Sequence, residues 1–313
     1  MAARSYAIIG TGALGGYYGA RLHHAGLDVR FLLHSDYAHV RAHGLRVESK
    51  DGDFSIARPR IYARAADMPP ADVTAVCLKT TQNGLLPELL PAPVGARGAV
   101  LMVQNGLGIE EAAAAVVPGR PILGGLAFLC SNKVGPGHVR HLDYGDVRIG
   151  QHTPDGTPAG QTELVRAVVD DFRRAGVGAA GEGDLVTARW RKLVWNVTYN
   201  GLCVVHDCTT DVLMGDPVLR ARCEALMREV IAAAAACGRV IEPEFVPFML
   251  AATDAMASYK PSMKLDYERG QALEIEAIYG APLRAARAAG ASCPLIAELH
   301  EELRRRDPAR RGA

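Results

Sequence analysis

The sequence contains no run of about 18 apolar residues of the kind that spans a bilayer. No basic stretch with an apolar h-region precedes the first strand signal, so no secretory leader is read and the chain is expected in the cytosol. An excess of one charge is also missing. Lys and Arg number 35 against 34 Asp and Glu. A balance of that kind gives no broad basic field to attract nucleic acid or an anionic membrane surface. The one locally basic segment, Arg304-Arg305-Arg306 with Arg310-Arg311, is expected to be a solvated, frayed tail. Seven cysteines are present, but without paired spacing. Cys203 and Cys208 are the nearest pair, and no second pair completes a metal site. Cys77, Cys130 and Cys203 lie in apolar runs and read as buried, reduced thiols, so no metal is expected. There is no internal repeat and no long linker.

What is there begins at residue 6. Tyr6-Ala7-Ile8-Ile9 is a short apolar strand that runs straight into Gly10-Thr11-Gly12-Ala13-Leu14-Gly15, followed by an amphipathic stretch to about Ala25 and a second strand signal, Val29–Leu33. G-x-G-x-x-G between a strand and a helix is a phosphate cradle. The first glycine makes the turn, the second admits the pyrophosphate, and the third lets helix and strand pack closely. The helix N-terminus then points its N–H groups at the phosphates.

Strand signals follow at 44–49, 73–79, 100–105 and 122–129, with helical stretches at 36–43, 82–90, 109–115 and 161–174. Several strands are continuously apolar, such as Val73–Leu78, which suits a parallel sheet covered on both faces. His138–Leu142 and Val147–Gly150 alternate around Asp143-Tyr144-Gly145-Asp146 and read as a hairpin. After Gly181-Glu182-Gly183-Asp184 only helical periodicity remains, over 185–207, 217–237, 243–257, 262–279, 282–289 and 294–304. The expected fold is α/β: an N-terminal Rossmann-type dinucleotide-binding domain over 1–182, then an all-helical C-terminal domain over 183–313 for substrate and dimer contacts. The substrate is expected in the cleft between them.

An acid at the end of the second strand would mark NAD selectivity. His34 occupies that place, with Arg30 and Arg41 near in sequence and Asp36 two residues on. A histidine does not repel a 2′-phosphate, so NADPH is the expected cofactor. Lys79 and Asn105 each end a strand at the carboxyl edge, where such a sheet presents cofactor and substrate.

Two later segments carry polar groups in apolar surroundings. Lys192, Asn196 and Asn200, spaced by four, share one helix face among Leu193, Val194, Trp195 and Val197. Buried polar groups cost stability unless partnered, so the row points to ligand contacts or to an interhelical polar network. Asp266, Gly270 and Glu274 read as one face of a helix over 262–279, with Gly270 marking a close approach.

The set Gly10–Gly15, Leu78-Lys79, Gln104-Asn105-Gly106, Trp190–Val197, Pro261-Ser262-Met263 and Leu273-Glu274-Ile275, in this order and spacing, resembles the ketopantoate reductase family over nearly the whole chain. The resemblance implies NADPH-dependent reduction of the C2 ketone of 2-dehydropantoate to D-pantoate, for pantothenate and coenzyme A synthesis. It implies Lys192 as proton donor and Glu274 as the carboxylate that positions it. Asn105, Asn196, Asn200 and Ser262 would bind substrate. Gly10, Thr11, Gly12, Ala13, Leu14, Gly15, His34, Lys79 and Asn105 would hold cofactor, with Lys79 near the nicotinamide end. Two departures stand out: His34 where many members carry arginine, and Lys264 two residues after Ser262. A small 2-oxo acid is the expected partner, and a homodimer the expected assembly. Two other functions fit the same residues: an NADP-dependent reductase of another 2-oxo acid, and a dinucleotide sensor without catalysis.

Overall fold

The computed structural model describes residues 4–310. The chain divides into two compact units. One is formed by residues up to Gln104 together with Ile109–Leu185, and the other by Asn105–Gly108 with the residues from Val186 onward.

The first unit is built on one ten-stranded sheet. Its strands are β1 (Ser5–Ile9), β2 (Asp28–Leu32), β3 (Leu45–Ser49), β4 (Phe54–Ile56), β5 (Arg60–Tyr62), β6 (Val73–Val76), β7 (Ala99–Met102), β8 (Ile122–Gly135), β9 (His138–Gln151) and β10 (Ala179–Glu182). The order is β4-β3-β9-β8-β7-β6-β1-β2-β5, with β10 paired to β9. Every residue of β6 and β7 is buried. Strands covered on both faces need apolar side chains throughout, as the continuous runs in the sequence require. From β5 to β8 each neighbouring pair is parallel. Their carboxyl ends are level: Ile9 lies opposite both Leu32 and Val76, and Val76 opposite Met102. The chain leaves β1 for β2 on one side and later crosses to β6 on the other. That makes the carboxyl end of β1 a topological switch point, where open α/β sheets bind ligands.

The helix Glu163–Arg174 buries Val165, Val168, Val169 and Phe172 at helical spacing, and Thr162 caps it by accepting from the Val165 N–H at 3.2 Å. Its buried Asp171 ties the edge of the unit to β1, accepting from Arg4 Nε at 2.6 Å and Tyr6 Oη at 2.8 Å.

Several expectations are corrected here. The hairpin is formed by β8 and β9, not by the two halves of residues 138–150. Asp143–Asp146 is a bulge inside β9, with positive φ at Tyr144 (56°) and Gly145 (140°) and shifts of register against β8. Its turn-like composition serves a kink rather than a reversal. The predicted helix 82–90 is a 3-10 turn, Thr80–Leu85, followed by the short helix Leu86–Leu89. Strands β4, β5 and β10, three or four residues each, are additional.

The second unit is helical among its described residues. Its core gathers Trp190, Leu193, Val194, Val197, Leu226 and Ile278, all nearly inaccessible. The run from Leu185 is α-helical to Trp195, widens to a π-turn over Asn196–Asn200, and returns to α over Gly201–Val205. Asp216 caps the long helix Pro217–Ala236 through the Val218 and Leu219 N–H groups. The expected helix 262–279 does not exist as one element. Helix Ser262–Glu268 ends at Gly270, whose φ is 67°. The Gly270 N–H donates to Tyr267 O, and the Gln271 N–H donates to Asp266 O, which is a Schellman termination. Nothing lies within 4 Å of a Cβ placed on Gly270, so this glycine serves the left-handed cap and not a close approach. A second π-turn follows at Glu276–Gly280.

Arg304–Arg306 are not a frayed tail. They form the last turn of helix Pro294–Arg306, where cations complement the helix dipole, and Arg304 and Arg306 pair with Glu301 and Glu302. Arg311 lies outside the described residues. All seven cysteines are free thiols.

Candidate active site

The glycine cradle sits at the switch point. Gly10 has φ 92°, and a Cβ there would meet the Leu78 backbone N at 2.7 Å. A Cβ on Gly15 would stand 2.3 Å from Gly10 O. Both glycines are therefore required by the fold itself. Gly12 differs, because a Cβ there meets nothing within 4 Å. The space beside it is open, and no side chain caps the first turn of helix Ala13–His24, whose first residues are Ala13 and Leu14. Free N–H groups facing an open space beside a glycine fit a dinucleotide pyrophosphate. Thr11 braces the loop by donating from Oγ1 to Leu32 O at 3.0 Å, which links it to the end of β2.

Beyond β2, His34 is exposed. Arg30, considered above as a 2′-phosphate partner, is committed elsewhere: its guanidinium donates to Pro69 O, Pro70 O and Asp28. Asp36 is buried and bonded to Lys133. Lys79 follows β6 and precedes the 3-10 turn. Gln104, two residues past β7, donates to Leu78 O at 3.0 Å and to Asn83 Oδ1 at 2.7 Å, fixing the loop that carries Lys79.

The second unit holds the remaining candidates. Asn105 belongs to it through the segment Asn105–Gly108, which docks on the second π-turn. The Leu107 N–H donates to Ala277 O at 2.9 Å, and a Cβ on Gly106 would collide with that same carbonyl at 2.5 Å. Glu274 lies in the short link before this π-turn and is 4% exposed. It is not on a common helix face with Asp266, because the chain breaks between them.

Lys192 is partly buried on the helix Leu185–Trp195. Its pKa is drawn down to about 7. Lost hydration is the largest cause and the positive charge of Arg189 the second, while Glu274 pulls the other way. Sequence spacing left the contest between burial and carboxylate open, and burial wins it. Arg189 was not singled out from the sequence. It stands three residues before Lys192 and is 2% exposed. A charged residue in Ala188-Arg189-Trp190-Arg191 reads as a solvated face unless the burial of the helix is known.

Asn196 and Asn200 open and close the first π-turn, so their four-residue spacing does not set a simple stripe. Asn196 is buried, and its Nδ2 has no hydrogen-bond partner. Asn200 Oδ1 accepts from the Met263 N–H at 3.2 Å, which ties it to the first turn of the helix that Ser262 begins. Tyr279 joins the two π-turns: its Oη donates to Val197 O at 2.9 Å, and a Cβ on Gly201 would stand 2.5 Å from that oxygen. Lys264 is engaged by Asp207 and Glu268, each at 2.7 Å.

Among the described residues no group of His, Cys, Asp or Glu is arranged to hold a metal ion. Among the described residues, too, no helix is long and apolar enough to cross a membrane.

Comparison with known proteins gives consistent matches. The family model "Ketopantoate reductase PanE/ApbA" matches residues 6–154, and its C-terminal companion matches residues 184–307. A 2-dehydropantoate 2-reductase from Nostoc is 50% identical over 304 residues, covering 97% of this chain and 95% of that protein. The crystal structure of 2-dehydropantoate 2-reductase from Geobacter metallireducens is 40% identical, with TM-score 0.90 over 96% of this chain and 99% of the other. That of the enzyme from Methylococcus capsulatus is 32% identical, with TM-score 0.85 over 96% of each chain.

Proposed function

Because the chain belongs to the ketopantoate reductase family, we propose that it reduces 2-dehydropantoate to D-pantoate with NADPH. Lys192 carries this reading. Hydride addition to a ketone builds negative charge on the carbonyl oxygen, and a positioned cation both stabilises that charge and supplies the proton. A lysine of ordinary pKa is a poor acid at neutral pH, whereas one drawn down to about 7 is matched to the task.

The cofactor supplies the hydride. Gly10, Thr11, Gly12, Ala13, Leu14 and Gly15 would hold its pyrophosphate, His34 would stand at the adenosine ribose, and Lys79 and Asn105 would serve its nicotinamide end. Glu274 would orient the Lys192 ammonium and accept a hydrogen bond from the product hydroxyl. Asn196 offers an unpaired Nδ2 to a substrate carboxylate or hydroxyl. Asn200 and Ser262 would hold the far end of the substrate. Asn200 also braces Met263, so its loss is expected to affect both KM and stability. The division into a cofactor domain over 1–182 and a substrate domain over 183–313 belongs to the same proposal, as does a homodimer. Light scattering at about twice the 33.3 kDa of the chain would support that assembly.

The test is steady-state NADPH oxidation with ketopantoate, pyruvate and 2-oxoisovalerate in parallel. Ketopantoate is expected to give the highest kcat/KM. A clear preference for another 2-oxo acid would keep the chemistry and replace the substrate. Tight NADPH binding with no turnover of any of them would leave the sensor reading.

A further inference from the structure

Asp36 is the first carboxylate after β2, two residues past His34. In a dinucleotide fold an acid in this neighbourhood binds the ribose 2′-hydroxyl and repels a 2′-phosphate. Here it is only 6% exposed, and both its oxygens are engaged. Oδ1 accepts from Lys133 Nζ at 2.8 Å and from Ser35 Oγ at 3.2 Å. Oδ2 accepts from the Gly137 N–H at 2.9 Å and lies 2.7 Å from Lys133 Nζ. Lys133 is near the end of β8, and Gly137 makes the turn into β9. The tip of the β8–β9 hairpin thus takes hold of the residue that follows the cofactor-selecting strand. Asp36, Lys133, Gly137 and Val139 line one small cleft with Thr11 and Gly16 of the cradle and its helix, so the pair sits beside the phosphate loop. Burial alone would push the Asp36 carboxyl up, but the bonds from Lys133 and Gly137 outweigh it and hold the carboxyl below its ordinary range.

We infer that Lys133 is a specificity-determining residue for the cofactor, a latch that neutralises Asp36 and keeps it turned from the ribose. The inference rests on the NADPH reading above. Without the latch the negative charge of Asp36 is no longer offset by Lys133 beside the end of β2. An unpaired carboxylate favours a ribose diol and repels a phosphate, so one broken ion pair acts with opposite sign on the two cofactors. The effect needs no contact between Lys133 and the cofactor.

The experiment measures Kd for NADPH and for NADH by fluorescence titration of the full-length protein, with thermal melts as the check on folding. For Lys133→Met, NADPH is expected to weaken about tenfold or more while NADH holds or tightens. Adding Asp36→Asn to that variant should restore NADPH affinity, and Lys133→Arg should behave as wild type. Asp36→Asn alone should keep NADPH affinity within about twofold of wild type. That single variant keeps the inference testable if Lys133→Met fails to fold. A wild type that binds both cofactors equally overturns the NADPH reading. A wild type that prefers NADPH, with an unchanged ratio in Lys133→Met, overturns the latch alone. So does a double variant that stays weak for NADPH, because Lys133 would then be acting on the phosphate itself. A loss of NADPH affinity in Asp36→Asn alone overturns it as well.

Discussion

Two lysines of the helical unit lie in opposite surroundings. Lys264, 2% exposed, is held by two carboxylates, Asp207 and Glu268. Burial would lower its pKa, but the two bonds outweigh that and the net shift is upward. Lys192 has one carboxylate acting on it, Glu274, against lost hydration and Arg189, and its pKa falls to about 7. Burial therefore does not by itself mark a functional lysine. What matters is whether the surroundings hold the charge or leave it ready to depart. Lys264 fits a fixed structural cation, and Lys192 a proton donor.

The largest effect that would test this contrast is the loss of the donor. Lys192→Ala should lower kcat by about 10²–10⁴ while NADPH still binds by fluorescence titration. A near-normal kcat under chemistry-limited conditions would move the role to Lys79. Lys264→Met should do the reverse. Its carboxylate partners reach solvent, so we expect a cost of about 1–2 kcal/mol in denaturant unfolding with kcat little changed.

The pH dependence of the two sites is opposite in sign. A lysine whose folded pKa is lowered binds its proton more weakly in the native state. Lys192 therefore costs stability below pH 7, and that cost is relieved as pH rises toward the ordinary lysine range. Lys264, with its pKa raised, contributes stability that is fully present below the unfolded lysine pKa and lost as pH climbs through the folded one. Comparing unfolding free energies of wild type and the two Lys→Met variants from pH 6 to 10.5 should show the difference for Lys192 shrinking with pH. Only the top of that window should begin to erode the Lys264 term.

The smallest effect is a displacement of the kinetic profile. kcat/KM for ketopantoate should fall as pH rises through about 7, where Lys192 gives up its proton in the free enzyme. Arg189→Leu removes a like charge and should move that limb to higher pH. Glu274→Gln removes the opposing one and should move it to lower pH. Unmoved limbs in both variants would separate Lys192 from the titration.

The parts that sequence made legible were those fixed by local chemistry. Gly10 and Gly15 cannot be replaced without collision, and β6 and β7 are buried on both faces, so composition alone announces them. Other parts were hidden where one composition serves two geometries. Asp143–Asp146 has the residues of a turn and makes a bulge. Gly270 sits in an apolar periodicity that resumes after it, so the break in the helix does not show. The two π-turns leave no trace, because in a helix buried nearly all round a change of pitch moves no residue from water to core. Arg189 escaped the reading of the sequence, since its meaning depends on a burial that only the packed structure supplies.

The π-turn at Asn196–Asn200 also acts as a phase shifter. One extra residue in a helix rotates everything before it by about 100° relative to everything after it. Tyr279 pins that offset. Its hydroxyl donates to the Val197 carbonyl, and any side chain at Gly201 would meet it, with a Cβ at 2.5 Å. The direction in which Lys192 faces is thus set by a residue count several positions downstream, held in place by a phenol from another part of the chain. Removing a single residue from that stretch would leave a helix of ordinary appearance with its lysine pointing elsewhere.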